Sequence, residues 1–130
     1  MALNKTDKVI VFDYLATITL ANAAQGQTVL TLAADSQFEL HAILGNCSED
    51  ADTDFRPNNF SCLISDQATG RQLSNVRIPQ VVLCGNANWA LLERRPITFP
   101  ALGTLLFDFL NLTANTNTIN IVLKGYKLLI

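Results

Sequence analysis

Charge is what this sequence has least of: Lys and Arg total 9, Asp and Glu total 11, and only 15% of the chain is charged. A nucleic-acid binder draws most of its affinity from cationic side chains neutralising phosphates, so a net charge of -2 argues against that class. Histidine occurs once, as His41. A lone histidine offers little for metal centres or for Ser-His and Cys-His nucleophile pairs, which need a base beside an activated side chain. No G-x-S-x-G elbow accompanies it, and no glycine-rich loop opens a helix to cradle a phosphate. The three cysteines, Cys47, Cys62 and Cys84, are an odd number without a C-x-x-C pair, which indicates neither a disulfide framework nor a zinc knuckle. Cys62 and Cys84, inside strand-like runs, read as small buried thiols, and the protein as made in a reducing cytosol. No apolar run reaches the roughly 18 residues that span a bilayer, and MALNKTDKVIVFDY has no secretory h-region. The N-x-S/T triplets at Asn46, Asn59 and Asn111 are accordingly expected to carry no glycan.

What is present is apolar and periodic. Hydrophobic residues make up 49% of the 130, enough for one domain that buries much of its surface. From Pro96 to Ile130 two runs alternate cleanly. Leu105, Phe107 and Phe109 oppose Asp108, and Ile119, Ile121 and Leu123 oppose Asn120 and Lys124. Period-two alternation marks half-buried strands. The two are read as a strand pair joined by a polar turn, needing a second layer from the preceding residues.

Upstream, residues 1–8 read as an arm, and VIVFDYLATITL from Val9 to Leu20 as a strand. A short helical turn is expected near Ala21 to Gln25, with Gly26 breaking it before a strand from Gln27 to Ala33. In that strand Val29 competes with Leu30 and Leu32 for the inner face. Phe38, Leu40, Ala42 and Leu44 then alternate with Gln37, Glu39 and His41, and Gly45 is read as the strand end. The connection from Gly45 to Asn59 carries four carboxylates, Glu49, Asp50, Asp52 and Asp54. It fails as a calcium loop because Phe55 and Ser61 stand where a glycine and a glutamate are required, so a solvated acidic loop is expected. Phe60, Cys62 and Ile64 share a face. DQATG reads as a hairpin turn leading into a returning strand RQLSNVRI, which Pro79 limits. QVVLCGN reads as a further strand, and Trp89 to Gly103 as a proline-broken crossover with one helical turn near Trp89 to Glu93. About eight strands at these spacings indicate an all-β antiparallel sandwich or barrel within residues 1–130.

A strand leading into DQATGRQLSN, a short strand ending in LCGN, the link ITFPALG, then LLFDFLNLT and INIVLKGYKL together resemble the small β-sandwich cement or decoration proteins of tailed-bacteriophage virions. The resemblance covers Phe60 to Lys127. It implies a jelly-roll-like, non-enzymatic subunit, self-associated as a dimer or trimer, which binds the major capsid protein or other virion proteins. The subunit would be made in the host cytoplasm and reside in the virion without a cofactor, metal, membrane or nucleic-acid partner. A neck, tail or head-fibre-base component is the nearest variant of that role.

Aromatics and arginines are enriched at interface hot spots. Phe12 and Tyr14 on the N-terminal strand, with Trp89, Arg94, Arg95 and Phe99 near the crossover, are therefore the expected contact residues. A carbohydrate-binding module would instead use Tyr14, Trp89 or Tyr126 as sugar platforms.

Overall fold

The structure is a computed structural model that describes residues 9–49, 59–84 and 91–130, with the backbone alone for 91–95. Eight strands are described: β1 Val9–Leu20, β2 Gln25–Thr31, β3 Ser36–Glu49, β4 Phe60–Asp66, β5 Ile78–Pro79, β6 Leu91–Phe99, β7 Thr104–Asn111 and β8 Asn117–Leu129. A five-residue helix, α1 Gln80–Cys84, follows β5. The strands form two antiparallel four-stranded sheets, ordered β1-β8-β3-β6 and β2-β7-β4-β5. Every consecutive pair except β4–β5 is split between the two sheets. This connectivity is that of a jelly roll, an all-β sandwich.

The closing strands are therefore not a hairpin, which corrects the expected pairing. β7 lies between β2 and β4 while β8 lies between β1 and β3 in the opposite sheet. Their alternation is as read, and Leu105, Phe107, Phe109, Ile119, Ile121 and Leu123 are all buried. The two apolar faces meet across the sandwich instead of lying side by side. Phe38, Phe60 and Phe99 complete the centre of the core. Full burial of side chains of this size contributes about 1.5–3 kcal/mol each.

Local expectations fail where a glycine or proline was read as a breaker. Gly26 is inside β2 opposite Phe109, and Leu30 and Leu32, not Val29, turn inward. β3 continues through Gly45 to Glu49. A Cβ on Gly45 would stand 2.7 Å from Cys84 Sγ and 3.1 Å from Ile121 Cδ1, so the missing side chain lets α1 and β8 close over the strand. A bulge between Leu40 and Ala42 shifts the phase of β3. Ile43 thus takes the inward place expected of Leu44, which is half-buried. RQLSNVRI returns only as an isolated bridge from Gln72 to Ser65 and the two-residue β5. QVVLC is α1, not a strand. The crossover is β6 across Pro96, which is tolerable because β6 is an edge strand and needs no ladder donor on its open side.

The links between layers are tied by side chains. Asn111, buried at the end of β7, donates from Nδ2 to the carbonyls of Ala21 and Asn115 at 2.9 Å and of Leu20 at 3.4 Å. Its Oδ1 accepts from Thr113 N at 3.0 Å, Thr113 Oγ1 at 2.9 Å and Asn117 Nδ2 at 3.3 Å. The Asn111–Thr113 triplet is thus an Asx-type turn that stitches β1, β7 and β8 at one end of the sandwich.

Candidate interaction face

The outer face of the β1-β8-β3-β6 sheet is built by residues left over when the inner face is assigned to the core. In β1, Tyr14, Ala16 and Leu20 point inward, so Val9, Val11, Asp13, Leu15, Thr17 and Thr19 point out. The continuous β1–β8 register lays these beside Leu128, Tyr126, Lys124, Val122, Asn120 and Thr118. β3 extends the rows with Gln37, Glu39, Ala42, Leu44, Asn46 and Ser48. Val11 is 73% exposed and Leu15 55%. Leu15, Val122 and Leu44 form one apolar row, and Val11 with Tyr126 begins another.

Many polar side chains on this face already have a partner within it. Thr19 Oγ1 and Thr118 Oγ1 are 3.0 Å apart, and Asn120 Nδ2 donates to Asn46 Oδ1 at 3.1 Å. Lys124 Nζ reaches Asp13 Oδ2 at 2.8 Å, Glu39 bonds His41, and the His41 ring packs edge-on against Tyr126. Burying a polar group is expensive chiefly when it loses its hydrogen bond. Prepaired groups can be covered at lower cost, leaving the apolar rows to supply the favourable term. The Asp13–Lys124 pair is too exposed to contribute more than about 0–1 kcal/mol to folding.

The opposite outer face is partly occupied by its own chain. Arg77 places Nη2 3.1 Å from Asp108 Oδ1 on β7 and 3.2 Å from Gln25 Oε1 on β2.

The expected contact residues distribute unevenly. Tyr14 and Phe99 are corrected: both are core side chains, at 9% and 1% exposure, because they fall on the inward phase of their strands. Tyr14 Oη also accepts a 2.9 Å bond from Ala33 N, so this ring is no exposed sugar platform. Phe12 is half-buried, edge-on to Tyr14 and capped by Lys127 Nζ at 4.0 Å from its centroid. Arg94 and Arg95 lie in β6 with side chains outside the described part, and Trp89 and Asp50 to Asp54 lie outside the described residues. Val11, Leu15 and Val122 were not singled out by sequence reasoning, and Tyr126 was named only as a sugar platform. The signal for Val11 and Leu15 was present, since VIVFDYLATITL is apolar on both phases in its first half, a pattern of strands covered on two sides.

Among the described residues no group of three or more His, Cys, Asp or Glu side chains is placed to hold a metal ion. No described helix is long and apolar enough to cross a membrane. Burial pushes the Cys84 thiol up to about 12, and burial with Cys84 alongside pushes Cys62 up as well. Neither is a ready nucleophile, because the thiolate is the reactive form. The fold and face together define a jelly-roll domain whose β1-β8-β3-β6 sheet has a weakly charged outer face. Comparison with protein-family models and with curated proteins found no match.

Proposed function

We propose that this chain is a non-enzymatic bacteriophage virion subunit that binds the major capsid protein or another virion protein and stabilises the assembled shell. The observation that carries the reading is the outer face of the β1-β8-β3-β6 sheet, where apolar rows lie among polar side chains many of which are already paired, so that it asks a partner for contact area and little charge. Jelly rolls are common among capsid proteins, and the Phe60 to Lys127 resemblance points the same way. Stabilisation would be linkage: a subunit that binds only the assembled shell at 100 times its Kd adds about 2.7 kcal/mol per site.

The test adds purified protein to shells that lack it and follows heat resistance together with cosedimentation. Wild type should bind and raise the disruption temperature, and Leu15→Glu with Val122→Glu should abolish both effects. Val29→Glu, on the opposite sheet, should leave both intact. Shells that gain nothing from wild type, or that bind the double variant equally well, overturn the proposal.

A further inference from the structure

Sheet edges expose unpaired N–H and C=O groups, and proteins ordinarily blunt them. Two of the four edges here carry a proline: β5 is two residues long and ends in Pro79, and β6 contains Pro96. β2 is seven residues long. β1 is the longest of the four. It runs 12 residues with no proline, glycine or bulge, and its only charged residue, Asp13, is tied to Lys124. Among the described residues no backbone hydrogen bond other than those to β8 reaches Val9 to Thr19. The first part of the strand is also short of cover on its inner phase, where Ile10 is 46% exposed and Phe12 half-buried.

We infer that the free edge of β1 pairs antiparallel with β1 of a second copy of this chain about a twofold axis perpendicular to the sheet. A strand edge takes a strand, and this one carries a single charge, which a second copy can avoid meeting by its choice of register. A symmetric register centred on Asp13 would set two carboxylates opposite one another and is excluded. The registers on either side, centred on Phe12 or on Tyr14, set Asp13 opposite Val11 or Leu15 of the second copy. Both pair residues of like phase, so free edge groups meet free edge groups, in about six or more inter-copy hydrogen bonds. Both also bring Val9, Ile10, Val11 and Leu15, all exposed in the single copy, into the joint. The two sheets become one of eight strands with their outer faces on the same side. A joint made by one strand pair lies at the small end of stable interfaces, about 1,000 Å² in total, so the dimer should dissociate on dilution. This pairing does not depend on which shell protein the outer face meets.

Sedimentation velocity of the whole chain over a concentration series tests it. Wild type should shift reversibly from monomer to dimer. Val11→Glu with Leu15→Glu puts a new carboxylate opposite Asp13 in either register and should weaken the dimer about tenfold or more. Val11→Lys with Leu15→Lys puts an ammonium there and should keep the dimer within about threefold of wild type. Both sites are more than half exposed, and far-ultraviolet circular dichroism checks that both variants fold. A wild type that is monomeric throughout, including one whose β1 edge is taken only by a shell protein, overturns the inference. So does an equal effect of the two charge signs.

Discussion

Gly125 is the position where one added carbon should do most damage. It sits in β8 between Phe12 of β1 and Leu40 of β3, at the level of the β3 bulge. A Cβ there would overlap the carbonyl oxygen of Glu39, lie 2.9 Å from its carbonyl carbon and 3.1 Å from Phe38 Cζ. The first two atoms are backbone, so no side-chain rotation relieves the clash, and β3 or β8 must move. Overpacking of this kind costs about 1–3 kcal/mol, and one or two strained ladder bonds add about 1 kcal/mol each. For Gly125→Ala about 3 kcal/mol is expected. With an unfolding entropy of about 2.1 cal/mol/K per residue, a 130-residue chain should lose about 11 °C in Tm. Gly70→Ala is the internal control. Gly70 has φ 72° and nothing within 4 Å of an added Cβ, so only the left-handed backbone is penalised, by about 1 kcal/mol or about 4 °C. Scanning calorimetry of both variants decides the matter. A Gly125→Ala protein that melts within about 3 °C of wild type, or above Gly70→Ala, would refute the close approach of β3 and β8 at the bulge.

Asn111→Ala should cost about 2–4 kcal/mol in urea unfolding, because it removes the six hydrogen bonds of a buried side chain, including the one that its Oδ1 accepts from the N–H of buried Thr113; a loss below about 1 kcal/mol would mean the knot is incidental. Stability should also fall in alkali. Cys62 and Cys84 have folded-state pKa values raised above the usual 9.0, so their contribution is full below about pH 9 and is lost as pH rises toward 12. The slope is at most about 1.4 kcal/mol per pH unit for each thiol. Comparing urea midpoints at pH 8 and 10 with those of Cys62→Ala/Cys84→Ala should show a shallower pH dependence in the variant, and equal slopes would contradict the burial of these thiols.

Period-two patterning in β7, β8 and β4 was readable from the chain, as was the two-layer all-β architecture, because burial on one face leaves its trace residue by residue. Partner strands were not readable. The residues 112–116 between Asn111 and Asn117 fit a hairpin turn as well as a crossing between layers, and only Asn111, with the six hydrogen bonds of its side chain, shows which one forms. Gly26 and Gly45 looked like strand ends because what they do is admit side chains from other elements, Leu20 of β1 in one case and Cys84 of α1 in the other. The bulge at His41 likewise follows from pairing with β8, not from its own neighbourhood. The same limit explains the contact face: Val11 and Leu15 are visibly apolar, but their alignment with Tyr126 and Val122 exists only once β1 and β8 are paired.

The central place of β8 has a consequence for synthesis. Ribosomes deliver β1 and β3 first, yet these strands do not touch edge to edge; the strand that belongs between them follows all the others in chain order. Until β8 emerges, that sheet lacks the strand that joins its two halves, and the apolar phases of β1 and β3 remain open to solvent and chaperones. Completion should then be abrupt and slow, as contacts distant along the chain close together. A nascent chain stopped before Asn117 should be protease-sensitive throughout, and the same chain carried past Leu129 should become resistant in one step.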